Sequence, residues 1–171
     1  MRLNMWNELP IRKHLRLKGY DYSKNGAYFI TICVKGRHEI LGVVGAALAP
    51  PADSHAESPK IHLTEYGKTV KTHIESLQNH YNDVFVDKYV IMPNHVHMIV
   101  VTDAGGASAA PTLGNLVRGF KAGISRECGF TLWQRSFYDH VIRNEEDYLR
   151  VCQYIDENPD KWAEDQYFTR D

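Results

Sequence analysis

Two kinds of apolar pattern alternate along the chain. Short β-branched and aromatic runs predict strands. They cover Tyr28–Val34 and His38–Val44, joined through Lys35-Gly36-Arg37 as a hairpin, and then Val84–Met92 and His95–Thr102, separated by Pro93-Asn94. Apolar residues recurring every three or four positions predict helices. Leu63, Tyr66, Val70, Ile74, Leu77 and Tyr81 place one helix over about 64–81, with Thr64 as N-cap and Glu65 in the first turn. Leu113, Leu116, Val117, Phe120 and Ile124 place a second over about 112–128, stopped by Gly129. A third starts at Asn144, with Asp147 at the capping-box position. It buries Tyr148, Cys152 and Ile155, and Pro159 ends it. Between the second and third helices, Leu132–Arg143 reads as an extended segment.

The remaining stretches are irregular. Residues 1–26 carry no clear period, Gly45–Lys60 is rich in Ala, Pro and Ser and reads as a flexible insert, and Asp103–Pro111 reads as a second soft loop. A chain of 171 residues with 43% hydrophobic side chains can bury one core, so a single domain over 1–171 is expected. No apolar run approaches the roughly 20 residues of a membrane span, and the N-terminus lacks a leader-like apolar segment. Cys33, Cys128 and Cys152 are scattered without zinc spacing, which suggests reduced thiols and a cytoplasmic protein.

The net charge of −1 says little, but its distribution says more. Residues 1–24 carry six basic side chains against two acidic ones, and residues 112–143 carry five against two. Such segments permit a phosphate-binding surface, although a solvated mixed surface fits them equally well. The acids gather after Asn144, and that region is expected to face away from any nucleic acid.

The chemistry concentrates in Met92-Pro93-Asn94-His95-Val96-His97. On a strand His95 and His97 share one face while Val96 points into the core. Two adjacent imidazoles make half of a metal site, or simply two histidines in a buried sheet. Tyr154 and Asn158 lie four residues apart, on one flank of the third helix beside its buried face. Taken alone, that tyrosine reads as packing and that asparagine as a helix end.

Together these motifs resemble the single-tyrosine HUH transposases, and within them the REP-associated tyrosine transposase branch. The likeness rests on Met92–His97, Trp133-Gln134, Phe137–Asn144 and Tyr154-Ile155-Asp156-Glu157-Asn158-Pro159, and spans roughly 20–165. It implies an α+β fold, an antiparallel β-sheet with helices mainly on one face, similar to ferredoxin-like and RRM-like domains. It also implies a metal-dependent endonuclease and strand transferase acting on single-stranded or hairpin DNA. Tyr154 would be the nucleophile, forming a 5′-phosphotyrosine link. His95, His97 and Asn158 would hold a divalent metal, Mg²⁺ or Mn²⁺, with Asn158 standing where related transposases use glutamine. No general base is evident in the sequence. Lys161 follows on the same helix end without an assigned role.

For DNA contacts the candidates are Arg12, Lys13, Arg16, Lys18, Arg118, Lys121, Arg126 and Arg143 on the backbone, with Tyr20, Tyr22, Trp133 and Tyr138 for stacking. The assembly could be a monomer or a homodimer with the tyrosine helix exchanged. Alternatives are a non-catalytic nucleic-acid-binding module, an HUH replication initiator or relaxase, or a metal-dependent hydrolase in which Tyr154 is structural.

Overall fold

The computed structural model describes residues 26–45, 60–103, 112–165 and 167. The basic N-terminal segment with Arg12, Lys13, Arg16, Lys18, Tyr20 and Tyr22 lies outside them, as does most of the predicted insert. Four strands form one antiparallel sheet: β1 (Gly26–Cys33), β4 (Val84–Met92), β5 (His95–Thr102) and β6 (Tyr138–Ile142), in the order β4-β5-β1-β6. The apolar run around Pro93-Asn94 is therefore a tight hairpin, with Met92 opposite His95.

Helices cover both faces of the sheet. Even-numbered residues of β1 and β5 (Tyr28, Ile30, Ile32, Val96, Met98, Val100) face α1 (Glu65–Glu75) and α3 (Leu113–Cys128), through Val70, Ile74, Leu116, Val117, Phe120 and Ile124. Odd-numbered Phe29 and Ile99 face α4 (Glu145–Glu157), through Val151 and Ile155. The expected one-sided bias thus holds for all helices except α4. A bulge between Val86 and Lys88 shifts the parity of β4. Asp87 and Lys88 there reach α4, where Tyr148 Oη donates to Asp87 at 2.6 Å and Lys88 pairs with Asp156 at 2.8 Å.

Thr64 and Asn144 act as the N-caps that the sequence implies, and Thr112, read only as the start of the second helix, proves to be a third. Thr64, Thr112 and Asn144 accept from the backbone N–H of Gly67, Asn115 and Asp147, each worth about 1 kcal/mol. Gly129 closes α3 with φ +80°. The Asp147 carboxylate accepts from Arg143 N–H, one residue before the cap, and also meets His140 Nε2 at 2.8 Å.

Three expectations need correction. Residues 38–44 do not pair with β1. Instead, β2 (Gly42–Gly45) pairs with β3 (Lys60–Leu63) in a separate two-stranded sheet, and Lys35–Arg37 forms a 3-10 turn. The hairpin expectation failed because it paired neighbours in sequence, whereas the actual partner lies beyond the insert. The first helix is also not continuous to residue 81. It breaks at Ser76, whose hydroxyl bonds the His73 carbonyl, and a short α2 (Leu77–His80) follows. Leu63, counted in the helix pattern, belongs to β3.

This arrangement braces the turn that carries the histidines. Leu41 N–H donates to the Pro93 carbonyl at 2.9 Å, and Leu41 O accepts from Thr64 N–H at 3.0 Å. Gly67 lets the start of α1 approach this closely, since a Cβ there would lie 2.0 Å from Leu41 O. Backbone cannot yield as a flexible side chain does, so Gly67→Ala should destabilise the fold by about 1–3 kcal/mol. Urea denaturation measures this, with Gly119→Ala, which meets only the Tyr81 hydroxyl at 3.3 Å, as the mild control.

Candidate functional site

His95 and His97 sit at the start of β5 on the α4 side of the sheet, 0% and 1% exposed. Their Nε2 atoms face each other at 2.9 Å. The partner of each Nδ1 fixes this orientation. Asn94 Nδ2 donates to the Arg37 carbonyl at 3.1 Å and the Tyr167 carbonyl at 2.7 Å, so its Oδ1 is an acceptor and meets His95 Nδ1 at 2.8 Å. The His95 proton therefore sits on Nδ1, leaving an Nε2 lone pair. Thr31 Oγ1, 2.8 Å from His97 Nδ1, can donate or accept, so His97 can adopt either tautomer. Burial lowers both pKa values, that of His97 to about 3. For His95 the neighbouring His97 and Arg37 add to burial, and Asn158 opposes them.

Helix α4 delivers the other two predicted residues. Tyr154 Oη lies 3.4 Å from His97 Nε2 in the same chain, with ring centroids 5.1 Å apart. Phe29 from β1 stacks on His97 at 5.3 Å and meets Tyr154 edge-on at 5.8 Å, fixing one ring relative to the other. Asn158 is 3% exposed, and its Oδ1 is buried without a hydrogen-bond partner. An orphaned buried carbonyl costs about 1–3 kcal/mol, and a ligand there removes the penalty. Burial chiefly, and the charge of Asp165 next, push the Tyr154 pKa up, while Asn158 draws it down.

Asp165 is the site residue that the sequence did not reveal. It follows a 3-10 turn (Trp162–Glu164) after α4 and brings a carboxylate to the histidines. Ligand atoms of His95, His97 and Asp165 all lie within 4.8 Å of one another. The acidic segment after Asn144 therefore does not wholly face away, because the chain beyond Pro159 folds back across the sheet's end. Tyr167 lies against both imidazoles, at 4.6 Å from His95 and 6.1 Å from His97, with Arg37 over its ring. Two imidazole nitrogens, an unpartnered amide oxygen and a carboxylate fit a divalent cation. Cys33 opposes His95 across the strands, but burial pushes its thiol up to about 11 and keeps it neutral.

No protein-family model matches the chain. An uncharacterised protein of Haemophilus influenzae is 32% identical over 92% of this chain and 93% of its own length. The REP-associated tyrosine transposase of Escherichia coli K12 is 31% identical over 77 residues, 44% of each chain. A solved structure of a REP-associated tyrosine transposase bound to a REP hairpin shares the fold, with a TM-score of 0.62 at 22% identity over 86% of this chain and 74% of that one. The chain is thus similar to REP-associated tyrosine transposases in sequence and in fold.

The residues expected at a DNA surface have varied places in the structure. Arg118, Arg126 and Arg143 are exposed, and Arg118 bonds Asn115 Oδ1 at 2.6 Å. Lys121 is half-buried, donates to the carbonyls of Gln134 and Ser136, and has its pKa lowered to about 8 by burial. Trp133 requires a correction as a stacking residue. It is 4% exposed and packs on Phe120, so its faces are not free for a base. Tyr138 packs into the Phe29 cluster. Lys161 pairs with Glu157. No helix among the described residues is long and apolar enough to cross a membrane.

Two outcomes follow from this geometry. Asn94→Ala should weaken Mn²⁺ binding by about 10–100-fold, measured by calorimetry, because His95 loses the partner that sets its tautomer. In EDTA, the folded protein keeps both histidines neutral, whereas the unfolded chain protonates them near pH 6.5. Stability is therefore full above that pH and lost as pH falls toward about 3. Each histidine contributes up to about 1.4 kcal/mol per pH unit. Urea midpoints measured from neutral to mildly acidic pH should show this slope, and His97→Gln should flatten it.

Proposed function

We propose that the chain is a metal-dependent single-stranded DNA endonuclease and strand transferase acting at hairpin-bearing DNA, with Tyr154 as nucleophile. The observation that carries this reading is the convergence of the Tyr154 hydroxyl on the imidazole pair, 3.4 Å from His97 Nε2, beside the orphaned Asn158 oxygen. A packing tyrosine needs no such neighbours.

His95 Nε2, His97 Nε2, Asn158 Oδ1 and Asp165 would hold the cation, Mg²⁺ or Mn²⁺. When bound it would polarise the scissile phosphate and offset the charge added by attack. The chain's own residues do the rest. Tyr154 Oη loses its proton and attacks phosphorus, the bond to the 3′ oxygen breaks, and that oxygen takes up a proton and leaves as a free 3′-OH. The DNA remains joined through its 5′ phosphate to Tyr154. In the reverse sense, a 3′-OH attacks the phosphotyrosine link and releases the phenol, so the bond is conserved without ATP. Asn158 orders the site by contact with His95 and Tyr154, drawing the phenol pKa down against burial. Phe29 locks the tyrosine's ring angle, and the neutral histidines accept a cation without losing protons.

The solved relative bound to a REP hairpin supports hairpin DNA as substrate. Because Tyr154 meets the histidines of its own chain, one protomer has a full set of groups. Incubation with labelled hairpin DNA and Mn²⁺, followed by a denaturing gel, should give a protein–DNA adduct. Tyr154→Phe should abolish the adduct while leaving DNA binding within about two-fold, since it removes the nucleophile and keeps the ring. Cleavage persisting in Tyr154→Phe would instead favour a hydrolase, and tight binding without cleavage by the unaltered protein would favour a binding module.

A further inference from the structure

The 3-10 turn Lys35–Arg37 has two sides. One faces the histidines, where the Arg37 carbonyl accepts from Asn94 Nδ2 and the Arg37 guanidinium lies over Tyr167. The other forms the wall of a hollow of about 550 Å³, lined by Lys35, His38, Ile40, Tyr66, Phe130 and Leu132 among others. Tyr66 and Phe130 meet there at right angles, 5.4 Å between centroids, and remain 40% and 42% exposed. Two large rings left partly in solvent beside a lysine are not explained by the core, whose Leu132 and Val34 are fully buried at the same hollow. Across the segment that carries Thr131, a second groove of about 600 Å³ is lined by Arg118, Lys121 and Arg135. No acidic side chain lines either hollow among the described residues.

We propose that the Tyr66–Phe130 hollow is a base-binding subsite, which takes one unpaired nucleobase of the DNA flank while the neighbouring Arg118–Arg135 groove tracks the backbone. This rests on the single-stranded DNA reading and adds the place where the strand is gripped outside the metal site. The chemistry matches on each count. Rings with open surface stack any base, a lysine at the rim meets its phosphate, and the absence of acids leaves that phosphate unopposed. Position matches as well, since the turn that walls the hollow is the one that braces Asn94. Gly36 in this wall has φ +71°, and a Cβ there would crowd the His38 ring at 2.7 Å.

The test compares fluorescence anisotropy of two labelled hairpin oligonucleotides in EDTA. One carries a short unpaired flank, and the other the same flank with every base removed to abasic sites. The full-length protein should bind the abasic form about 10-fold more weakly, the loss expected from base stacking. The Tyr66→Ala/Phe130→Ala double variant should bind both forms equally, at the weaker level. Tyr66→Phe should retain the difference, and an unchanged melting temperature in each variant reports intact folding. A double variant that still discriminates like the unaltered protein overturns the subsite, as does an unaltered protein indifferent to the missing bases. Failure of the underlying reading looks different, as no hairpin binding and no Tyr154-dependent adduct by the unaltered protein.

Discussion

The structure depends on keeping two uncharged imidazoles inside a sheet with their Nε2 atoms facing each other. Burying a polar ring is unfavourable unless each nitrogen has a partner. Here Asn94 and Thr31 serve the two Nδ1 atoms, and the Nε2 atoms are left facing inward at 2.9 Å. One of these must carry a proton for the contact to be attractive. Strand alternation sets the geometry, because residues two apart on β5 cannot avoid sharing a face. Everything around the pair follows from holding that face: β1 supplies Thr31 and Phe29, the Pro93-Asn94 turn supplies the amide, and α4 supplies the roof.

The two sides of the sheet have different duties. The even-numbered side packs α1 and α3 through a large aliphatic core and gives the domain its stability. The odd-numbered side has a much smaller apolar cluster around Phe29, Ile99, Val151 and Ile155, which grades into the polar site toward the end of α4. Helix α4 is held there by contacts with the β4 bulge, where Tyr148–Asp87 and Lys88–Asp156 meet. Both contacts are exposed and individually weak. Their importance is geometric, since they set the angle at which Tyr154 and Asn158 reach the histidines.

What could be read in the sequence was local or periodic. The shared face of His95 and His97, the four-residue step from Tyr154 to Asn158 and three helix caps need only strand and helix geometry. The β2–β3 pairing was hidden because the strands are separated by the insert, and Lys35-Gly36-Arg37 looked like a hairpin turn. Its Gly36 has positive φ, but the turn leads the chain away from β1. Asp165 was hidden for a different reason. It lies past Pro159 in a segment without period, and only the return of the chain brings its carboxylate to the site. Trp133 looked available because it sits among basic residues. Its fate was decided by the α3 face opposite it, which no local pattern describes.

The β2–β3 ladder has a practical consequence. Gly45 pairs directly with Lys60, so the two ends of the intervening stretch are clamped together by the protein itself. Strain arising between them is absorbed at that clasp before reaching Leu41 and the turn it supports. A dye, an affinity handle or a whole folded passenger could thus be grafted at this position while the end of the molecule that carries His95 and His97 keeps its shape.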